Sequence, residues 1–186
     1  MKLLIASDIH GSAKWCGALL EAWRAEAPER LVLLGDLLYH GPRNDLPEDY
    51  APKRVIEMLN GVADHILCVR GNCEAEVDQM VLAFPVMADY AALIVDGRLI
   101  YCTHGHVYNP DHLPPLRPGD ALLFGHTHVP GLWRKGDIPC ANPGSVSIPK
   151  QDSPHSYCVL EGGVLAWKDL ATGETWRQER LYAREA

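Results

Sequence analysis

The chain has 186 residues, 47% of them hydrophobic and 22% charged, a composition that suits one globular domain spanning 1–186. Its net charge of −7 argues against a broad basic surface for long nucleic acids, which need clustered Lys and Arg. No apolar run reaches the ~18 residues of a membrane span. The first run also stops at Asp8, short of a signal-peptide core, so a cytoplasmic location is expected.

In chain order, residues 2–7 read as a strand. Ser12 can cap a helix over 13–27, where Trp15, Ala18, Leu19, Ala22 and Trp23 recur at helical spacing and Pro28 ends the pattern. A strand at 30–34 follows. The long Gly-, Pro-, Asn- and Asp-rich loop over 37–52 suggests function rather than connection. A helix near 53–62, a strand at 65–69 and a helix over 74–83 complete the first half. From residue 90 strands follow closely: 91–95, 98–103, 121–125, 131–135, 157–161, 164–169 and 175–180. Asp96-Gly97, Gly162-Gly163 and Thr172-Gly173 supply hairpin turns. Alternating strands and helices followed by hairpins predict an α/β protein with mixed sheets and helices outside. The last residues, 183–186, are expected to fray.

Six cysteines, at 16, 68, 73, 102, 140 and 158, have no C-x-x-C spacing, and several lie in apolar runs. All but Cys73 read as buried, reduced thiols.

The chemistry gathers at strand ends. Asp8-Ile9-His10, Gly35-Asp36, Gly71-Asn72, Thr103-His104-Gly105-His106 and Gly125-His126-Thr127-His128 each follow an apolar run, with Arg70 intervening in one case. Ligands at the carboxyl ends of several strands converge on one crevice in an open α/β sheet. In an extended segment the i, i+2 spacing of Asp8 and His10, repeated by His126 and His128, places both side chains on one face. Carboxylate oxygen with imidazole nitrogen suits Mn²⁺, Fe²⁺, Zn²⁺, Co²⁺ or Ni²⁺. Asp36 can bridge two ions by giving one oxygen to each, and Asn72 adds a neutral oxygen. Singly, each is an ordinary polar residue at a loop start; seven in register point to a metal centre.

This motif series resembles that of the calcineurin-like binuclear metallophosphoesterases. Ser7-Asp8-Ile9-His10-Gly11-Ser12, Gly35-Asp36-Leu37, His40-Gly41-Pro42-Arg43-Asn44, Arg70-Gly71-Asn72-Cys73, Glu76-Val77-Asp78-Gln79-Met80 and the segment from Asn142 to Lys150 are similar to the small bacterial YfcE-type members. The resemblance covers essentially the whole chain. It implies a four-layer α/β/β/α sandwich. One divalent ion would be held by Asp8, His10, Asp36 and His128, and a second by Asp36, Asn72, His104 and His126. Manganese is the leading choice, with nickel, iron, zinc, cobalt or magnesium as alternatives. It further implies in-line hydrolysis of a small phosphodiester by a hydroxide bridging the ions, with Asp36, Asn72 and Cys73 at the reaction centre.

Much of the superfamily carries His where this chain has Cys73, although the YfcE-type group also has Cys. A thiol, with a reference pKa of ~8.5, is a poor general acid, which favours good leaving groups. Arg43 could clamp phosphate bidentately, with Asn44 and Cys73 beside it. His106 could orient His104; His65, His112 and His155 read as structural; Ser145 lies in a turn abutting the site. Alternatives are a phosphomonoesterase or nucleotidase, and a non-catalytic scaffold of the same fold. Hairpins over 157–182, rich in Trp and Tyr, suggest a homodimer or higher oligomer.

Overall fold

A computed structural model describes residues 1–182; the expected fraying of 183–186 lies outside them. In chain order the elements are β1 (Lys2–Ala6), α1 (Ala13–Glu26), β2 (Arg30–Leu33), α2 (Pro52–Asn60), β3 (Ile66–Cys68), α3 (Glu76–Val81), β4 (Ala91–Val95), β5 (Arg98–Cys102), β6 (Ala121–Leu123), β7 (Gly131–Lys135), β8 (Ile138–Asn142), β9 (Ser156–Glu161), β10 (Val164–Asp169) and β11 (Thr175–Arg180). They form two mixed sheets, ordered β11-β10-β9-β1-β2-β3 and β4-β5-β6-β8-β7. Each contains a parallel trio, β1-β2-β3 and β5-β6-β8, with antiparallel strands alongside.

The central strands are continuous apolar runs because both faces are covered. Leu4, Ala6, Leu31 and Leu33 face outward onto the helices, meeting Leu19 of α1 and Val55 and Leu59 of α2. Leu3, Ile5 and Val32 face inward, where Ile100, Cys102, Leu123 and Ala141 of the second sheet meet them. On the outer face of the second sheet, Tyr101, Leu122 and Cys140 pack under Tyr108, Leu113 and Leu116 of the irregular chain between β5 and β6. The two sheets and flanking helices agree with the α/β sandwich expected.

Local signals act as their chemistry dictates. Ser12 Oγ accepts the N–H of Trp15 at 3.3 Å and caps α1, which stops at Ala27 in a left-handed conformation before Pro28. Pro52 opens α2. Asp96-Gly97 and Gly162-Gly163 have positive φ at both turn positions, as tight hairpins require.

Three expectations need correction. β8 was not anticipated, because Pro139 argues against an internal strand. The structure accommodates it by pairing β8 with β6 only at Cys140 and Ala141, leaving Pro139 outside that ladder. The helix expected over 74–83 is confined to Glu76–Val81, and Glu74 turns inward instead. In the 157–182 hairpins Tyr157, Trp167 and Tyr182 are core, while Trp176 is exposed. Most of the aromatic surface offered there for self-association is therefore buried within the chain.

Candidate metal centre

Both parallel trios end at the same edge of the molecule. Asp8 and His10 follow β1, Asp36 follows β2, Asn72 and Cys73 follow β3, His104 follows β5, and His126 and His128 follow β6. Backbone hydrogen bonds stitch these loops together: Asp8 N–H to Gly35 O at 3.1 Å, His10 N–H to Asp36 O at 2.9 Å, and Gly125 N–H to His104 O at 2.6 Å. All seven expected ligands are brought into one cluster.

The extended-segment argument for their convergence does not hold. Asp8, His10, Asp36, His126 and His128 have φ of 60°, 48°, 56°, 65° and 60°. Each side chain is aimed by a left-handed residue rather than by strand alternation. Such conformations cost roughly 1–3 kcal/mol each and persist only where surroundings over-determine them. Here Ser145 Oγ and Ser147 Oγ donate to Asp8 O at 2.9 and 3.2 Å. The Glu74 carboxylate accepts the N–H groups of Asp36, Leu37 and Gly71 at 2.9, 2.6 and 2.5 Å. Glu74 is thus a positioning residue that the sequence reading did not single out.

The rings are oriented from behind. Nδ1 of His10, His104 and His128 meets the backbone carbonyls of Tyr39, Leu34 and Ile148 at 2.7, 2.7 and 2.6 Å. Donation there fixes each ring's orientation and makes Nε2 the nitrogen presented to the cluster. His10 Nε2 and His128 Nε2 lie 3.2 Å apart, 3.5 and 3.3 Å from Asp8 Oδ1. On the other side His104 Nε2 lies 3.1 Å from Asn72 Oδ1 and 3.3 Å from His126 Nδ1. Asp36 Oδ2 sits between the halves, 3.7 Å from His10 Nε2 and 3.4 Å from His104 Nε2. Its Oδ1 is turned away and accepts the Cys73 N–H at 2.9 Å. The expectation that Asp36 gives one oxygen to each of two ions is corrected accordingly: Oδ2 alone faces both halves.

The cluster attracts positive charge. Burial works against charge on Asp8, yet His10 and His128 hold its carboxyl well below the usual range. Asp36 is lowered against burial by His104. Burial likewise opposes charge on His104, but Asp36 and Asp8 carry it up to about 9. His126, desolvated and beside His104, falls to about 4. Asp8 Oδ1 is fully buried with no hydrogen-bond donor, and a buried acceptor without a partner is costly. Asp8-His10-His128 and Asp8-Asp36-His104 each bring three ligand atoms within 4.8 Å of one another. Oxygen and imidazole donors at this spacing fit divalent cations.

A cleft of about 310 Å³ opens over the cluster, lined by the expected Arg43, Asn44 and Cys73 and also by Thr127 and Lys150. Arg43 is exposed on the rim, and Asn44 Nδ2 donates to His40 O at 2.8 Å. Lys150, the last residue of the Asn142-to-Lys150 motif, adds a cation at the cleft. The Cys73 thiol receives Asn72 Nδ2 at 3.2 Å and is pushed upward by burial and by Asp36. His106 is exposed, its ring centroid 5.4 Å from that of His104. His155 stacks on Trp15 and His65 packs near Trp23, away from the cluster.

The sequence pattern of the Calcineurin-like phosphoesterase superfamily domain matches residues 1–162. The chain belongs to that superfamily. As a family member it is a hydrolase acting on ester bonds. Phosphodiesterase YfcE of Escherichia coli strain K12 is 49% identical over 166 residues, 89% of this chain and 90% of that protein. A solved structure described as Yfce, a phosphoesterase from E. coli, superposes with a TM-score of 0.94 at 46% identity, covering 97% of this chain and 100% of that one. The probable metallophosphoesterase YsnB of Bacillus subtilis is 25% identical over 167 residues, 86% of this chain and 83% of its own length.

Proposed function

We propose that this protein is a metal-dependent phosphodiesterase that hydrolyses a small phosphodiester. The observation that carries the reading is the convergence of Asp8 Oδ1, Asp36 Oδ2 and the Nε2 atoms of His10, His104 and His128, with three rings oriented from behind by backbone carbonyls. Asp8, His10, Asp36 and His128 would hold one divalent ion, manganese by preference. Asp36, Asn72, His104 and His126 would hold the other, with Asp36 Oδ2 common to both. When bound, such a pair supplies Lewis acidity toward a phosphoryl oxygen and a hydroxide at neutral pH.

The remaining chemistry belongs to the chain. Arg43 and Lys150 bring positive charge to the cleft, suiting a phosphate anion. Cys73 stands where much of the superfamily carries His, and a thiol, with a reference pKa of ~8.5, is a poor general acid for a poor leaving group. That feature favours activated diesters and weakens the phosphomonoesterase reading. The net charge of −7 suits a small substrate rather than a long nucleic acid. The reading includes one domain over 1–186, a homo-oligomeric assembly and a cytoplasmic location. Five of the six free thiols are buried, which suits a reducing compartment. No described helix is long and apolar enough to cross a membrane.

The test is hydrolysis of bis-p-nitrophenyl phosphate beside p-nitrophenyl phosphate by metal-stripped protein given Mn²⁺, Ni²⁺, Mg²⁺ or nothing. Metal-dependent diester cleavage lost in Asp36→Asn supports the proposal. Monoester preference moves the reading to a phosphatase. Inactivity of folded protein with every metal favours the scaffold. Sedimentation showing only monomer at micromolar concentration contradicts the oligomer.

A further inference from the structure

Beside the cleft lies a larger groove of about 730 Å³, and the two share His126 and Thr127. Its wall is built differently from the ion cluster. Phe124, Val129 and Trp133 line it, with Lys135 and Asp111 paired at 2.8 Å beside them. Trp133 is 40% exposed on β7, the edge strand of the second sheet. Its ring centroid is 5.6 Å from that of Phe124. It lies over Gly131, two residues earlier on the same face, where an added Cβ would come within 2.7 Å of the indole. The glycine therefore leaves room for the indole to lie down on the strand beside the groove.

We propose that this groove receives the ester substituent that stays on phosphorus, and that it is built for a planar aromatic group, an aryl ring or a nucleobase. The inference rests on the phosphodiesterase reading above. In an in-line displacement the leaving oxygen departs opposite the attacking one, out through the cleft mouth. A groove reached past His126 and Thr127 suits the substituent that is retained. Trp133, backed by the buried Phe124, offers a stacking surface that is indifferent to which planar ring is bound. An alkyl substituent gains little there.

Three diesters share the p-nitrophenolate leaving group and differ in the retained substituent: thymidine 5′-p-nitrophenyl phosphate, bis-p-nitrophenyl phosphate and methyl p-nitrophenyl phosphate. The change in their ratios from wild type to variant cancels their different intrinsic reactivities. With manganese-loaded wild type, kcat/KM for each aromatic diester should exceed that for the methyl diester. Trp133→Ala should reduce this ratio about tenfold, and Trp133→Phe should retain most of it. Gly131→Ala, which lifts the indole from its seat, should reduce the ratio from a second position. Calorimetric titration gives a readout without turnover: thymidine 5′-monophosphate should bind the wild type more tightly than methyl phosphate, with the difference lost in Trp133→Ala. A larger loss with the thymidine diester points to a nucleobase; a larger loss with the bis-aryl diester points to an aryl ring. Cleavage of all three diesters without preference, or a ratio unmoved in both variants, overturns the groove alone. No cleavage of any diester by wild type overturns the underlying reading, and equal binding of the two monoesters then overturns the groove as well.

Discussion

Glu74 Oε2 accepts the backbone N–H of Asp36 at 2.9 Å, while Asp36 Oδ2 faces both halves of the cluster. One carboxylate thus fixes the backbone of another at the centre of the site. Glu74 also accepts the N–H groups of Leu37 and Gly71. It is itself raised by burial and by Asp36.

Replacing Glu74 by Ala strips the acceptor from three backbone donors. Stability should fall by about 2–4 kcal/mol in urea unfolding, since each abandoned donor costs on the order of 1 kcal/mol or more. Glu74→Gln should be milder. Its single oxygen can still serve Asp36 and Gly71, both now on Oε2, while its amide nitrogen faces the Leu37 N–H. A loss of less than about 0.5 kcal/mol in Glu74→Ala would contradict this role, being no more than a surface substitution costs.

Metal should stabilise the fold, because it binds acceptors that face one another only in the native state. At a concentration of about 100 times Kd, Mn²⁺ should add about 2.7 kcal/mol. For a chain of this size that corresponds to roughly 5–10 °C in Tm. In Asp8→Asn the shift should shrink to a small fraction of that value. Equal shifts in both proteins would show that Mn²⁺ stabilises from elsewhere.

Away from the site, Glu26 ties α1 to Lys2 of β1 at 2.7 Å and to Lys168 of β10. Burial pushes its pKa up, but Lys168 and Lys2 prevail and hold it below the ordinary value of 4.5. Its contribution is therefore present above pH 4.5 and lost as pH falls through the lowered folded value. Glu26→Gln should cost about 1 kcal/mol or less at pH 7, allowing for solvent screening. The difference from wild type should shrink steadily as pH falls below 4.5 in paired urea titrations. A difference that grows on acidification would reverse the sign argued here.

Cys73→His should broaden the range of usable diesters, because an imidazole can protonate a departing alkoxide near neutral pH. Rates on diesters with poor alkyl leaving groups should rise, by up to the roughly 10²-fold that a modest general acid provides. Rates on p-nitrophenyl esters should change little. No gain on poor leaving groups would remove Cys73 from the explanation of substrate range.

Six of the seven ligands were legible because an Asp or His follows closely on a buried apolar strand; Asn72 comes after the edge strand β3 with Arg70 and Gly71 between. Their convergence was legible too, but its mechanism was not. The left-handed backbone at Asp8, His10, Asp36, His126 and His128 is imposed by tertiary contacts such as Ser145 and Ser147 on Asp8 O. Glu74 escaped notice because, in sequence, an acid before a helix looks like a solvated first-turn residue. β8 escaped because Pro139 masks a strand whose β6 ladder begins one residue later. The Trp and Tyr of the 157–182 hairpins left core and interface open, and the packing of the two sheets places Tyr157 and Trp167 in the core.

The most direct measurement is anomalous diffraction from crystals of the manganese-loaded protein. Two peaks are expected. One should contact Asp8 Oδ1 and Nε2 of His10 and His128; the other should contact Asn72 Oδ1, His104 Nε2 and His126 Nδ1; both should touch Asp36 Oδ2. No peak within this cluster, or a single ion that leaves Asn72 and His126 unliganded, would contradict the two-ion account.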